Sequence, residues 1–150
     1  SQMPTCKSVI DMGSGQGFTK PLFEKLGKTW IGVTLGPDAL VCQQNGIPIL
    51  NEDFSFLPMV EKESYDLVFS RHSLEHSPFP VITMLEWWRI SKQWMCVVLP
   101  QPVFWTVRGK NHNSVVYYDQ AKWNFEQANW SIMWENQTEE EMRFMLEKVR

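Results

Sequence analysis

The chain has 150 residues, of which 43% are hydrophobic and 21% charged, and this fits one domain with its own hydrophobic core. Its formal net charge is −3 and its 14 Lys and Arg residues are scattered, so it has no basic footprint for duplex nucleic acid. No apolar run approaches the roughly 20 residues that cross a bilayer, and no membrane span is predicted.

Apolar bursts alternate with helical patterns through the first half. SVIDMG predicts a strand, and after a glycine-rich turn TKPLFEKL predicts a helix that ends at Gly27. TWIGVTL predicts a second strand, and GPDALVCQQNG a helix with Pro37 in its first turn and Gly46 at its end. IPILNED and YDLVFSR predict strands three and four, and the apolar run of the latter is typical of a strand buried on both faces.

The second half continues the alternation. VITMLEWWRISK predicts an amphipathic helix. The residues expected on its inner face are Val81, Ile82, Leu85 and Trp88. WMCVVLP predicts a fifth strand and VFWTVRGKNHNS a loop. DQAKWNFEQAN predicts a helix capped by Asp119, WSIMWEN predicts a sixth strand, and the tail from Thr138 predicts a last helix with a solvated charged face.

This alternation predicts an α/β fold, a Rossmann-like three-layer sandwich around a mostly parallel central sheet. We expect residues 1–150 to form a single domain with little N-terminal cap. The cover of a ligand site would then be missing, supplied by a second copy or a partner chain, or lost with a trimmed start. Cys6, Cys42 and Cys96 form no CxxC pair, which predicts reduced, buried thiols and a cytoplasmic location.

The stretch VIDMGSGQGF, residues 9–18, places an acid directly before three glycines at alternate positions. In an open parallel sheet, ligands bind beyond the carboxyl ends of the strands, and glycines let the backbone approach them. The spacing differs from the dinucleotide fingerprint G-x-G-x-x-G, and no phosphate loop is present in register. An acid here would repel a pyrophosphate, but it suits a cationic ligand such as an α-ammonium group.

At these residues the chain resembles the class I S-adenosylmethionine-dependent methyltransferases, especially their small-molecule, type 11-like branch. VIDMGSGQG is similar to the first motif of that family. The stretches similar to its later motifs are WIGVTLGPDAL, NEDFSFLP, YDLVFSRHSLEHSPFP and MLEWWRISKQWMCVVLP. The resemblance implies S-adenosyl-L-methionine as cofactor and methyl transfer to a small-molecule acceptor, with oxygen favoured over nitrogen or carbon.

The resemblance also implies a set of cofactor-binding residues. They are Asp11, Met12, Gly13, Ser14, Gly15, Gly17, Phe18, Thr34, Leu35, Asp53, Phe54, Ser70 and Arg71. The glycines would shape the floor under the methionine part, and the last two residues would line its end. Asp11 would serve the ammonium group directly or through water, Asp53 the adenine amino group and Phe54 the adenine ring. Most family members carry a ribose-binding acid at the position of Thr34, so here the threonine hydroxyl or nearby backbone would replace it.

HSLEH, residues 72–76, matches the H-x-x-E-H pattern of zinc proteases. That chemistry needs both histidines on one helix face, but the motif follows a strand and precedes two prolines. In similar quinone-pathway O-methyltransferases an acid at the position of His72 is associated with a divalent metal, and a histidine disfavours Mg²⁺. We predict no metal and favour a structural role for Glu75 and His76, which would tie the loop down by hydrogen bonds. His72 and His76 remain the candidate catalytic residues, His72 as a base near the methyl group.

The stretch PVFWTVRGKNHNSVVYY is the expected acceptor-side loop. Trp105, Arg108, His112 and Tyr117 are candidates to bind an anionic or aromatic acceptor, with lid packing as the alternative. The motifs of DNA amino and cytosine C5 methylation are missing. Two other functions stay open: a non-catalytic methyltransferase-like scaffold subunit and a NAD-dependent oxidoreductase.

Overall fold

The computed structural model describes residues 6–105, 114 and 116–150, and these residues form seven strands and five α-helices. The strands are β1 (Ser8–Met12), β2 (Thr29–Thr34), β3 (Ile49–Asn51), β4 (Tyr65–Arg71), β5 (Ser91–Pro100), β6 (Trp130–Gln137) and β7 (Glu141–Lys148). The helices are α1 (Lys20–Lys25), α2 (Gly36–Gln44), α3 (Pro80–Ile90), α4 (Pro102–Trp105) and α5 (Tyr118–Gln127). A 3-10 turn, Leu74–His76, joins β4 to α3. No helix among the described residues is long and apolar enough to cross a bilayer.

All seven strands form one sheet in the order β3-β2-β1-β4-β5-β7-β6. Strands β1 to β5 pair in parallel, while β7 runs antiparallel between β5 and β6. The chain moves outward from β1 to β3 and then returns to β4 on the other side of β1, so the strand order reverses there. The predicted Rossmann-like α/β sandwich with its mostly parallel sheet is confirmed, and ligands of such sheets bind at this reversal point.

The core lies on both faces of the sheet because successive strand residues point to opposite sides. In β1, Val9 belongs to a small cluster with Trp30 and Leu67, while Ile10 belongs to the large cluster beneath α3 and α5. Asp11 follows on the face of Val9, which places a carboxyl group beneath the start of α1. The alternation of β1 therefore decides where the acid of the glycine turn lies.

The predicted terminal helix is wrong, because residues Glu141–Lys148 form strand β7. Met142, Phe144 and Leu146 are buried at alternate positions, which is the period of a strand. The N–H of Glu141 donates to the Thr138 hydroxyl at 3.0 Å, as at a helix N-cap, but here the bond closes a β-hairpin turn. The TEEE signature thus reflects local chemistry that helix caps and this hairpin share.

The inner face predicted for α3 is right for Val81 and Trp88, which pack against the core as partly buried residues, and wrong for the other two predicted residues. The residues of α3 that are buried are Thr83, Met84, Trp87 and Ile90, whereas Ile82 and Leu85 are exposed. The polar Thr83 can face inward because its hydroxyl bonds the Ser77 and Ser55 hydroxyls at 2.8 and 3.1 Å. A hydrophobic pattern cannot show that the hydrogen bonds of a buried hydroxyl are satisfied by its neighbours. Asp119 is likewise misplaced as a cap, since Tyr117 is the N-cap of α5.

Gly32 in β2 marks a close approach between this strand and the glycine turn. A Cβ atom there would lie 2.8 Å from the Ser14 Cβ and 2.6 Å from the Trp30 ring. Both distances are too short, and no left-handed φ is involved. Gly32 is therefore a packing requirement of the turn.

We expect Gly32→Ala to lower the free energy of unfolding by about 3 kcal/mol, because overpacking a rigid contact displaces both partners. Gly27→Ala is the control: its Cβ would meet nothing within 4 Å, and its φ of +74° costs about 1 kcal/mol. Urea unfolding of both variants measures the difference. Equal losses would contradict the close contact at Gly32.

Candidate functional site

The glycine turn after β1 is bound to its neighbours by main-chain contacts. Gly13, Gly15 and Gly17 have φ of 76°, 54° and 84°, a region that glycine adopts without strain. The N–H groups of Gly13 and Ser14 both donate to the Val33 carbonyl, at 2.9 and 3.0 Å. A Cβ at Gly13 would lie 2.6 Å from the Cβ of Ser73 in the loop after β4. The turn therefore joins the ends of three strands, and at Gly13 there is no room for a side chain.

An open cleft of about 320 Å³ lies over this turn at the carboxyl edge of the sheet. Its lining residues are Gly13, Gly15, Thr34, Leu35, Asp38, Glu52, Phe54, His72, Ser73 and His76. The loops after β2 and β3 supply apolar and acidic groups, and the loop after β4 supplies the serine and two imidazoles. The two sides of the cleft are thus chemically different.

Asp11 lies below the cleft and is only 2% exposed. The Thr19 hydroxyl donates to its Oδ2, and the Trp30 indole N–H donates to the Thr19 hydroxyl oxygen at 3.1 Å. Burial raises the pKa of Asp11 to about 6, although the bonds from Thr19 and Trp30 oppose the shift. One carboxylate oxygen is therefore used inside the protein, where it fixes the turn to the segment that opens α1.

His72 lies at the β4 side of the cleft with a φ of 51°, which is uncommon for a residue other than glycine. Its Nε2 is 2.9 Å from Oε1 of Glu141, and Nη2 of Arg71 is 2.9 Å from the same oxygen. Burial lowers the pKa of His72 below its ordinary value, while the Glu141 carboxylate partly offsets this effect. The imidazole is therefore neutral at pH 7 and can accept a proton.

Glu141 is 5% exposed and is the hub of this cluster. Arg143 contacts its other oxygen, with the Arg143 Nη2 at 3.0 Å. Burial raises the pKa of Glu141, but the hydrogen bonds from Arg71 and Arg143 outweigh burial and hold it below the ordinary value. Glu141 is therefore an ionised carboxylate on His72. The sequence did not reveal it, because it was assigned to a helix and lies 70 residues from Arg71.

Glu75 in the 3-10 turn is 1% exposed, and neither carboxylate oxygen has a hydrogen-bond partner on another described residue. Burial raises its pKa to about 7. Nε2 of His76 lies 3.8 Å from its Oε1. The predicted tethering role is corrected in its details: the main-chain carbonyl of Glu75, not the carboxylate, accepts a bond from the Ser114 N–H at 2.8 Å.

HSLEH does not form the helix that a zinc-protease motif requires. The backbone of His72 has a left-handed conformation, and Glu75 and His76 lie in a 3-10 turn. Among residues 6–105, 114 and 116–150, no group of three or more His, Cys, Asp or Glu side chains is arranged to hold a metal ion.

Residues 10–94, more than half of the chain, match the family model of the methyltransferase domain. The chain belongs to the class I S-adenosylmethionine-dependent methyltransferases. This confirms the family that the motifs indicated, and with it an enzyme whose cofactor is S-adenosyl-L-methionine. It also decides against a NAD-dependent oxidoreductase. Comparison with curated protein sequences finds no match.

Solved methyltransferases share the fold of the whole chain. A Haloferax volcanii methyltransferase in complex with the Trm112 methyltransferase activator has a TM-score of 0.83 at 14% identity, covering 98% of this chain and 85% of that one. Burkholderia thailandensis 1,6-didemethyltoxoflavin-N1-methyltransferase, with bound 1,6-didemethyltoxoflavin and S-adenosylhomocysteine, has a TM-score of 0.77 at 14% identity, covering 99% of this chain and 74% of that one. Synechocystis magnesium protoporphyrin IX methyltransferase with bound SAM has a TM-score of 0.72 at 16% identity, covering 98% of this chain and 72% of that one.

The structure brings together part of the predicted site of this methyltransferase. The predicted residues that line the cleft are Gly13, Gly15, Thr34, Leu35, Phe54, His72 and His76. Those outside the lining are Asp11, Met12, Ser14, Gly17, Phe18, Asp53, Ser70 and Arg71. Met12 and Ser70 are fully buried in the sheet, and Phe18 is 79% exposed. Oδ1 of Asp53 accepts a bond from the Ser55 N–H at 2.8 Å, so its predicted adenine contact stays a prediction.

The predicted acceptor residues lie at or beyond the edge of the described residues. Trp105 ends α4, and its side chain, together with the whole of Arg108 and His112, lies outside the described part. Tyr117 is described and is 70% exposed. Their acceptor roles therefore stay predictions.

The lining fits an adenosyl cofactor on observations of this structure alone. The turn is a cradle of backbone, which a Cβ at Gly13 would disrupt. Leu35 is 54% exposed although it is apolar, and Phe54 faces the same cleft, so a flat heterocycle has apolar surface to cover. Asp38 and Glu52 add carboxylates for hydroxyl or amino groups. Together with Ser73, they are cleft residues that the sequence did not reveal.

We expect Glu75→Gln to stabilise the methyltransferase at alkaline pH. Because the pKa of Glu75 is raised from 4.5 to about 7, the folded state binds a proton that the unfolded chain releases. The contribution of Glu75 to stability therefore falls as the pH rises from about 5 to about 7. At pH 8 the variant should gain about 3 kcal/mol in free energy of unfolding, and at pH 4 almost nothing.

Urea unfolding at the two pH values measures this gain, with the exposed Glu126→Gln as the matched control. A gain of equal size at both pH values, or a loss at pH 8, would show that the buried carboxyl is not the cause.

Proposed function

We propose that this enzyme transfers the methyl group of S-adenosylmethionine to an oxygen atom of a small-molecule acceptor, and that residues 1–150 act as one domain. The observation that carries the proposal is the position of His72, which lines the cleft with its Nε2 2.9 Å from Oε1 of Glu141. An oxygen acceptor must lose a proton, and His72 is the cleft group best placed to take it.

The cofactor would lie along the cleft from the β3 side to the β4 side. We assign the adenine ring to Leu35 and Phe54, and the methionine part to the backbone of the glycine turn. Asp11 would act on the ammonium group through the turn or through water, since it is covered by Thr19. Ser70 and Arg71 would support the methionine end from the end of β4.

When bound, the cofactor supplies an electrophilic methyl group on a sulfonium. The protein has then to align the acceptor and remove its proton. The Glu141 carboxylate fixes which nitrogen of His72 carries a proton, and it stabilises the imidazolium that forms when His72 takes the proton of the acceptor. Arg71 and Arg143 keep Glu141 ionised for this role.

We also propose a partner or a second copy beside the cleft and a cytoplasmic location. Phe18, Leu22 and Leu26, spaced by four residues, expose apolar side chains at and after the glycine turn. The similarity to a methyltransferase bound to an activator supports such a partner. The free cysteines Cys6 and Cys42 support a reducing compartment. Sedimentation velocity of Leu22→Lys tests the surface, and an unchanged oligomeric state would remove this support.

We expect His72→Asn to lower kcat by about 100-fold or more on a hydroxyl acceptor, with the affinity for S-adenosylhomocysteine kept within a few-fold. The assay follows transfer from tritiated S-adenosylmethionine to a panel of phenols, hydroxy acids, amines and thiols. Methylation of amines only, or an unchanged kcat in the variant, would contradict the proposal. Cofactor binding without transfer to any acceptor would instead favour the scaffold function.

We expect Glu141→Gln to move the acid limb of the kcat/KM profile to lower pH. The Glu141 carboxylate raises the pKa of His72, so its neutral replacement leaves burial and Arg71 to lower that pKa further. The imidazole then stays neutral to a more acid pH, but kcat falls because the imidazolium loses its counterion. The exposed Glu139→Gln is the control. A shift of the limb to higher pH would exclude Glu141 as the partner of the base.

A further inference from the structure

The family resemblance implies an acidic residue for the ribose at the end of β2, and this chain has none there. Thr34 stands there, is 7% exposed and pairs with Asn51 of β3. Its single hydroxyl can contact one ribose oxygen, whereas a carboxylate can accept bonds from both vicinal hydroxyls. The cleft therefore needs another acceptor for the ribose.

Asp38 brings a carboxylate to this place from the first turn of α2. It lies four residues after Thr34, and both line the cleft together with Gly15. Its Oδ2 is 3.9 Å from the position that a Cβ of Gly15 would take. The carboxylate thus lies directly beside the glycine turn, on the part of the cleft wall to which Thr34 also belongs.

Gln16 of the same turn holds this carboxylate. The Gln16 side-chain amide donates to Oδ1 of Asp38 at 3.2 Å, which bridges the glycine turn and α2. An acid in a first turn often only stabilises its own helix. Here the hydrogen bond runs across the cleft wall to the turn, and it leaves Oδ2 on the side of Gly15.

We propose that Asp38 binds the ribose hydroxyls of S-adenosylmethionine, in place of the acid that is missing at Thr34. The inference rests on the cofactor assigned above. Hydroxyl bonds to an ionised carboxylate are about twice as strong as neutral ones, so a single half-buried aspartate can replace the strand-end acid. Glu52 also lines the cleft, but it is exposed, has a longer side chain to order, and follows β3 instead of β2.

The test is calorimetric titration with S-adenosylhomocysteine and with its 2′,3′-dideoxy analogue, which lacks both ribose hydroxyls. Asp38→Asn should weaken binding of the first by about 10- to 100-fold, the usual effect of losing bonds to a charged group. The wild type should bind the dideoxy analogue more weakly by a similar factor. Asp38→Asn should then cause little further loss, because the contact is already absent.

Two further variants sharpen the result. Glu52→Gln, the matched cleft carboxylate, should change affinity for S-adenosylhomocysteine by less than about 3-fold, which is under 0.7 kcal/mol. Gln16→Ala should lower the affinity for S-adenosylhomocysteine less than Asp38→Asn does, and it should leave the affinity for the dideoxy analogue unchanged. Thermal unfolding shows whether each variant is folded, and binding of the dideoxy analogue gives a second check.

The outcomes separate this inference from the function on which it rests. Equal losses of both ligands in Asp38→Asn, or no loss at all, would overturn the role of Asp38 while the cofactor assignment stands. If Glu52→Gln bound S-adenosylhomocysteine as weakly as its dideoxy analogue, Glu52 would be the residue that binds the ribose hydroxyls. A wild-type protein that binds neither ligand would overturn the cofactor assignment itself, and the inference with it.

Discussion

The contact between the backbone of the glycine turn and its neighbours is the constraint on which the site depends. Gly13 and Ser14 share the Val33 carbonyl, Ser14 packs on Gly32, and Gly13 touches Ser73. These contacts bring the ends of β1, β2 and β4 closer than side chains would permit. The loops that follow these strands then supply the lining of one cleft. Asp11 lies beneath the turn, on the face that the alternation of β1 gives it, where it accepts a bond from Thr19 and does not line the cleft.

Three buried carboxyl groups near this edge differ in what satisfies them, and this difference assigns their roles. Glu141 is bound by two arginines and stays ionised, so it can support a charge on His72. Asp11 accepts from one hydroxyl and holds a raised pKa of about 6. Glu75 has no hydrogen-bond partner for its carboxylate on another described residue, and burial raises its pKa to about 7. An unpaired buried acid is costly to ionise. The burial of Glu75 predicts an effect on stability, whereas we propose that Glu141 supports the chemistry of the site.

The parts of the structure that follow from local sequence were predicted well. The strand over YDLVFSR has the expected bounds of Tyr65–Arg71, and the glycine turn lies where its motif indicated. The tail from Thr138 was wrongly predicted as a helix, because one bond from a backbone N–H to a hydroxyl serves a helix cap and this hairpin alike. Once that tail was taken as a helix, Glu141 had no reason to meet His72.

Other residues of the site depend on tertiary contacts that a single sequence does not encode locally. Asp38 looks like an ordinary acid in a first helical turn, and only its bond to Gln16, 22 residues away, shows that it faces the glycine turn. Thr83 likewise faces inward because its hydroxyl bonds those of Ser77 and Ser55, which a hydrophobic pattern does not show. The adenine contact predicted for Asp53 stays a prediction, and the bond from the Ser55 N–H to its carboxylate is a local contact that the motif does not show.

The central claim is that the cradle of the glycine turn binds an adenosyl sulfonium cofactor. Calorimetric titration of the wild type with S-adenosylmethionine, S-adenosylhomocysteine and NAD tests it most directly, with Gly13→Ala as the variant that fills the cradle. We expect both adenosyl ligands to bind the wild type, NAD not to bind, and Gly13→Ala to lose both ligands while it remains folded. Binding of NAD, or no binding of either adenosyl ligand by folded wild-type protein, would contradict the account.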